Sequence, residues 1–358
     1  MEVRRSPALP LPESTETTEQ LEGLPAPLMS TTPRHHCSPS DFVREVWGLE
    51  GWFSPLPGDV DENWLFTTPP GERFCLKVAP AEQPLAELAA MARVQVELGR
   101  DRWPVPTPRV VPGGRGEGRY VARATHRPEG GWARLESWVG GRPAGEVRGL
   151  GERYPARLGR FLARLDRALF ALDEPALERT HLWDVMAIGS KLDELEAIDE
   201  PRRRERVRGW IERFLDEDRP SLGQATHGLI HNDANDFNVF VEDDEGGQPE
   251  IVGLIDFGDS LVAPRVVEVA VAGAYVALAS DEPVVAVGAL LDAYEREWPL
   301  DELERMKLPT LLRMRVVQTA VTAAVRAKTR EDEYAVVHGE PAWRLLDAWD
   351  DAAWELEP

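Results

Sequence analysis

The residues best suited to chemistry lie in the run His231-Asn232-Asp233-Ala234-Asn235-Asp236-Phe237-Asn238, and eighteen residues beyond Asn238 comes Asp256-Phe257-Gly258. An Asp two residues after a His, with an Asn five beyond it, is a spacing that serves phosphoryl transfer. Asp233 is the candidate to take or orient the proton of an attacking hydroxyl, and His231 the candidate to orient the loop. Asn238 would reach back to a metal ion on the phosphates. Asp256 would hold the other face of that Mg²⁺, because a hard cation favours carboxylate oxygens. Either motif alone arises often by chance, and a loop Asp is often only a turn residue. Here the two occur in order.

The elements that must position them are also legible. Residues 238–241 and 251–255 read as strands, and the polar stretch 242–249, with its Gly and Pro, as the turn between them. That hairpin brings Asn238 and Asp256 to the same end. Upstream, Lys77 sits in an apolar strand, residues 73–78, where it would neutralise phosphate charge; the competing reading is an edge-strand Lys that guards against aggregation. Residues 84–99 carry helical periodicity, with Pro84 in the first turn and Gly99 at the end. Glu87, or failing that Glu82, would hold Lys77 through an ion pair, unless it is simply an exposed helix Glu.

Residues 51–59 and 63–68 read as the first strands, with the turn Pro57 to Asn63 as a candidate lid; no G-x-G-x-x-G is present. Residues 105–111 are extended and Pro-rich. Two further strands, 120–123 and 132–139, are flanked by turns at 114–118 and 129–131, and Gly140-Gly141-Arg142-Pro143 breaks the pattern. From about residue 152 the chain turns helical: Leu158, Phe161, Leu162, Leu165 and Leu169 recur at helical spacing. Asp184, in His181-Leu182-Trp183-Asp184, could cap a following helix. The segment 190–218 mixes charges of both signs and reads as a solvated helix face. Further helices are expected at 266–279, 283–297, 301–307, 309–328 and 341–354.

Composition bounds the rest. The chain has 358 residues, 42% of them hydrophobic, enough for two lobes with real cores. A net charge of −22 argues against nucleic-acid or anionic-membrane binding and mildly favours cationic small substrates. Cys37 and Cys75 are the only cysteines, so no disulfide framework is implied and a reducing, cytoplasmic setting is expected. His35-His36-Cys37 lacks the further spaced ligands of a metal site. No secretory signal is visible, and the longest apolar run, 266–279, is interrupted by Glu268 and too short for a membrane span. Residues 1–38, rich in Pro, Ser, Thr and Glu, read as a disordered or loosely packed tail.

These motifs resemble the aminoglycoside phosphotransferase and choline kinase superfamily, whose loop is H-G-D-x-x-x-x-N; Asn232 stands where Gly is usual. Asp256-Phe257-Gly258-Asp259 and the run 268–275 after it resemble the hydroxylysine kinase group in particular. The resemblance covers roughly residues 41–350. It implies an α+β, bilobal, protein-kinase-like fold: an antiparallel-sheet N-lobe over 39–138 and a helical C-lobe over 139–358 that carries the catalytic loop and the metal motif. It places the interlobe hinge near Glu136–Val139, where Glu136 and Trp138 would meet the base. It implies Mg²⁺ and ATP or GTP, and phosphorylation of a small, amine-bearing alcohol. Aminoglycoside, homoserine, choline and sugar acceptors are alternatives within the class, and a nucleotide-binding, pseudokinase-like regulator is the alternative outside it. Asp236, Asp259, Glu268 and, more distantly, Asp184 are the acidic residues expected near an acceptor amine. Arg315 or Arg313 would meet an acceptor carboxylate.

Overall fold

The computed structural model describes residues 38–100, 105–113, 120–127, 130–147, 149–329 and 333–351. The expected tail, save Ser38, lies outside the described residues, as do His35, His36, Cys37, Glu129, Trp354 and the turn at 114–118.

The first lobe begins with α1 (Pro39–Trp47), which Ser38 caps by accepting from the Asp41 N–H at 3.1 Å; Gly48 ends it in a left-handed conformation at φ 71°. A five-stranded antiparallel sheet follows in the order β1-β2-β3-β5-β4: β1 (Trp52–Leu56), β2 (Glu62–Thr67), β3 (Arg73–Ala79), β4 (Ala122–Arg123) and β5 (Trp132–Ser137). α1 packs Phe42, Val43 and Trp47 onto Phe66, Leu76, Val78 and Leu135 of the sheet. The register aligns Asn63, Lys77 and Arg134 in one row across β2, β3 and β5. α2 (Leu85–Leu98) starts after Pro84.

The second lobe is built on α3 (Tyr154–Leu169), α4 (Pro201–Arg213), the short α5 (Arg219–Leu222), α6 (Val266–Leu278), α7 (Pro283–Glu297), α8 (Glu302–Thr329) and α9 (Glu333–Asp351). α3 meets α7 so closely that a Cβ at Gly159 would lie 2.0 Å from the Leu290 carbonyl oxygen. Two small sheets hold the functional loops. β6 (Arg142–Pro143) pairs with β8 (Val239–Asp243), which pairs with β9 (Pro249–Leu254); β7 (His227–Ile230) pairs with β10 (Leu261–Pro264).

Two expectations change. Residues 301–307 and 309–328 are not separate helices: α8 runs through Pro309. Proline costs a helix one hydrogen bond and some clash, and the buried side chains on both sides of it, from Leu308 to Thr322, outweigh that locally. The last helix likewise starts earlier than expected, at Glu333, and runs through Pro341. In the charged segment, residues Val185–Ala197 form a succession of 3₁₀ turns, and α4 buries only Val207 and Ile211.

Candidate active site

The candidate catalytic loop leaves β7 and enters β8, and it is braced from several sides. The Asp233 carboxylate is gripped at both oxygens. Its Oδ1 accepts from Arg315 Nη2 at 2.9 Å, and its Oδ2 accepts from Asn235 Nδ2 at 3.0 Å and Asn238 Nδ2 at 2.7 Å. Asn238 Nδ2 also donates to the Asp233 carbonyl at 3.0 Å. Burial pushes the Asp233 carboxyl up to about 6, against the pull of Arg315 and the two amides.

His231 is fully buried. One ring nitrogen, Nε2, meets the Ile255 carbonyl at 3.0 Å, and the other, Nδ1, accepts from the Asp233 N–H at 3.3 Å. Those partners select the neutral tautomer protonated at Nε2, and burial lowers the ring to about 4. Edge-on packing against Phe257, 4.8 Å between centroids, completes the strut from the loop to the metal motif. Asn232 adopts φ 68°, a left-handed conformation that glycine and, less readily, asparagine tolerate. Its N–H donates to Glu268 Oε2 at 2.8 Å.

Asp256 also sits in the left-handed region, at φ 64°, and caps the Gly258 N–H at 3.3 Å. Lys77 Nζ donates to its Oδ1 at 2.7 Å. Burial would raise Asp256, but Lys77 and then Arg134 hold it well below the usual carboxylate range. Lys77 itself is raised, since Asp256 outweighs the burial that favours its neutral form. Asp256 is therefore an anion with one cation beside it. Asn238, whose amide nitrogen is engaged by Asp233, keeps its oxygen for another ligand. An ionised carboxylate and an amide oxygen at one end of a hairpin suit Mg²⁺, which takes few protein ligands and completes its shell with phosphate and water. No cluster of three or more acidic, His or Cys ligands occurs among the described residues.

Several expected site residues stand elsewhere. Glu87 pairs with Arg179, not with Lys77. Arg179 also donates to the Ser260 carbonyl at 3.0 Å and to the Gly258 carbonyl, so it ties α2 to the metal motif. Glu136 is 4% exposed and bound by Arg134 Nε at 2.8 Å; Arg73 lies over the Trp138 ring at 5.2 Å. The backbone near them is engaged too: Ser137 N–H donates to the Arg109 carbonyl and Trp138 N–H to that of Arg73. Asp184 caps the turn at Met186 N–H, 2.8 Å. Glu268 is fully buried beneath the loop, pushed up to about 7 by burial against hydrogen bonds from the Asn232 and His231 backbone, and it does not face the cleft. Arg315 has no exposed surface and is held to Asp233, and Arg313 lies over Trp210 and Trp349.

Asp233, Asn238, Asp256 and Asp259 do converge on one cavity of about 290 Å³, together with Arg134, His181, Trp183 and Tyr275. Asp259 is raised by burial and by the nearby Asp233 and Asp256 charges. His181, 3.4 Å from Asp259, is lowered to about 4 by burial and by Arg179, so the contact is not an ion pair at neutral pH. The β1–β2 turn closes over this cavity: Asp61 pairs with Arg134 at 3.1 Å, and Asp59 pairs with Arg326 of α8. Asp236 instead lines a neighbouring cavity of about 520 Å³ that shares Tyr275. The residues that motif reading missed are Arg134, Arg179 and Asn235. Asn235 lies inside the quoted loop, where its spacing from Asp233 was a signal; the two arginines had none.

The family model that matches residues 52–308 is that of the phosphotransferase enzyme family. The chain belongs to that family. Among curated proteins, this phosphotransferase is similar to hydroxylysine kinase of Bos taurus, 29% identical over 223 residues that cover 60% of this chain and 59% of that protein. The chain therefore spans less than two thirds of the length of that relative. It is also similar to hydroxylysine kinase of Danio rerio, 24% identical over 332 residues, 90% of this chain and 92% of that one. Among solved structures, the microcompartment-associated aminopropanol kinase superposes with a TM-score of 0.67 at 18% identity, over 89% of this chain and 98% of that one. That likeness gives the phosphotransferase a bilobal, α+β, kinase-like fold. No described helix is long and apolar enough to cross a membrane.

Proposed function

We propose that this phosphotransferase moves the γ-phosphoryl group of ATP or GTP onto a hydroxyl of a small, amine-bearing metabolite, a hydroxylysine-like amino alcohol. The observation that carries the reading is the joining of the two motifs. The Ile255 N–H donates to the Asn238 carbonyl at 3.0 Å, with Asn238 bound to Asp233 at 2.7 Å on one side and Asp256 bound to Lys77 at 2.7 Å on the other. Asp233, Asn238 and Asp256 line one cavity, which supports an acceptor hydroxyl and a phosphate–metal site side by side. The similarity to hydroxylysine kinases supports the acceptor class, and the net charge of −22 is in keeping with a cationic one.

In this reading Asp233 receives the acceptor hydroxyl and orients its oxygen at the phosphorus. Asn238 and Asp256 hold Mg²⁺, which when bound neutralises charge on the phosphates. Lys77, released in part from Asp256, steadies the phosphates from the sheet side. Asp259 offers the acceptor ammonium a carboxylate, and a charge-assisted hydrogen bond of this kind contributes about 1.5–3 kcal/mol. His231 keeps the loop and the metal motif in register and stays neutral.

The test is turnover with Mg²⁺ and each nucleotide across a matched panel: 5-hydroxylysine, shorter amino alcohols, homoserine, choline, an aminoglycoside and neutral polyols. Amino alcohols are expected to show the highest kcat/KM. Equal or better use of a neutral polyol removes the amine, and no turnover with any acceptor alongside intact nucleotide binding replaces the reading with a regulatory one.

A further inference from the structure

Arg315 has no exposed surface. Its guanidinium lies between the Trp183 ring, 4.7 Å away, and the Tyr275 ring, 5.5 Å away. Nη1 donates to the Trp183 carbonyl at 3.0 Å and to Gln318 Oε1 at 3.3 Å. Nη2 donates to Asp233 Oδ1 at 2.9 Å and approaches the Tyr275 hydroxyl at 3.4 Å. A guanidinium with its fork fixed at both nitrogens and both faces covered is not available to a substrate carboxylate. It is a rigid support from α8 to the loop.

The same geometry says which Asp233 oxygen remains open. A carboxylate oxygen has about two acceptor directions. Among the described residues, Oδ2 accepts two hydrogen bonds, from Asn235 and Asn238, whereas Oδ1 accepts one, from Arg315. The remaining direction is on Oδ1, the oxygen that Arg315 holds.

We propose that Arg315 is a positioning residue for phosphoryl transfer: it fixes Asp233 Oδ1, and Oδ1 receives the acceptor hydroxyl. The inference rests on the kinase reading above and adds to it a part that no catalytic-loop motif contains. Arg315 touches neither acceptor nor nucleotide and acts through Asp233 alone. Lys77 and Asp256 hold the phosphate side separately, so loss of Arg315 leaves nucleotide binding in place. Lysine does not replace it fully, because a single ammonium lacks the planar fork that spans Trp183 and Asp233.

The experiment measures Arg315→Met, Arg315→Lys, Asp233→Asn and Asp233→Asn/Arg315→Met with 5-hydroxylysine, or with the best acceptor of the panel, and Mg²⁺-nucleotide. Arg315→Met is expected to lower kcat about 100-fold, the scale of an ångström-sized misplacement, with nucleotide KM within about twofold of wild type. Arg315→Lys is expected to regain part of that loss. In the Asp233→Asn background the second substitution is expected to lower kcat no further, since residues acting as a unit are not additive. A kcat for Arg315→Met within about threefold of wild type, or full additivity, overturns the proposal.

Thermal melting of the same four proteins gives a readout that needs no turnover. Removing Arg315 leaves the largely buried Asp233 carboxylate, 17% exposed, without the cation that holds Oδ1, which is destabilising. Asp233→Asn is therefore expected to restore part of the Tm lost in Arg315→Met. Additive Tm losses overturn the pairing whatever the acceptor, whereas absence of turnover in the wild type, with this Tm pattern intact, sinks the kinase reading and leaves the pairing in place.

Discussion

Lys77 on β3 and Asp256 in the metal motif are 179 residues apart in sequence, and their side chains meet at 2.7 Å. The sheet lobe and the helical lobe are joined at this contact by the two groups that the proposed chemistry assigns to phosphates and to metal. Removing either leaves the other altered, so the two substitutions must be distinguished by what each does to the nucleotide.

Asp256→Asn is expected to weaken binding of the Mg²⁺-nucleotide complex far more than binding of the free nucleotide, because the ion loses a charged ligand. Lys77→Ala is expected to raise nucleotide KM and lower kcat. Titrations of nucleotide with and without Mg²⁺ separate them. Equal affinity of Asp256→Asn and wild type for the Mg²⁺ complex would remove Asp256 as the ligand. A Lys77→Ala protein changed only in Tm would make Lys77 a structural strand residue.

Asp233→Asn keeps the shape of the side chain and removes the charge beside the acceptor. Turnover is expected to fall by about 10²–10⁴, the range for a lost general base, while Mg²⁺-nucleotide affinity stays near wild type. More than about a tenth of wild-type activity, against that range, is incompatible with the role assigned to it.

Glu87 and Arg179 form a pair that ties α2 to the carbonyls of Gly258 and Ser260. Glu87→Gln and Arg179→Met are each expected to lower stability by about 1–3 kcal/mol, the cost of a partner left unsatisfied. The double variant is expected to be little worse than either single one. Nucleotide KM should change less in Glu87→Gln than in Lys77→Ala. Identical KM changes in the two would mean that Glu87 reaches Lys77 in the working enzyme.

Glu268 gives a pH signature. Burial raises its carboxyl from 4.5 to about 7 in the folded protein. A raised acid is stabilising below its unfolded value, and that contribution is lost as pH rises through the folded value, because the folded state binds the extra proton between them. The Tm of wild type relative to Glu268→Gln should therefore fall between about pH 4.5 and 7 and level off above. A Tm difference that is flat across that interval would show that Glu268 ionises normally.

Much of this was legible in the chain. The β8–β9 hairpin carried polar turn residues between apolar strands, α3 its leucine stripe, and the motifs around Asp233 and Asp256 their spacing. Such signals are local. Pro309 and Pro341 stand at the starts of expected helices because the cost of proline is read from the residue itself, whereas the burial of its neighbours that offsets it is not. The partners of Glu87 and Asp233 are a different case. Arg179 and Arg315 reach them from 92 and 82 residues away, and no periodicity encodes which arginine arrives. Arg315 and Glu268 were read as substrate ligands from their charge; burial gives both of them to the loop itself. Asn232, noted only as standing where Gly is usual, ties the loop down: its left-handed backbone aims an N–H at Glu268, and its Nδ2 donates to the Trp183 and Asp259 carbonyls at 3.3 Å.

The Asp59–Arg326 pair has a consequence for the timing of the reaction. It fastens the β1–β2 turn to the far lobe with charges that are partly exposed, 44% for Asp59 and 15% for Arg326. A cover seated by leucines would be indifferent to electrolyte, whereas exposed charges are screened over about 8 Å at physiological ionic strength. In the proposed reaction, departure of nucleoside diphosphate is then expected to be sensitive to the medium: slower in dilute buffer, where the clasp is tight, and faster as counter-ions compete for it. Where release limits turnover, kcat should rise with added salt before nucleotide affinity is lost, and Arg326→Gln should abolish that rise.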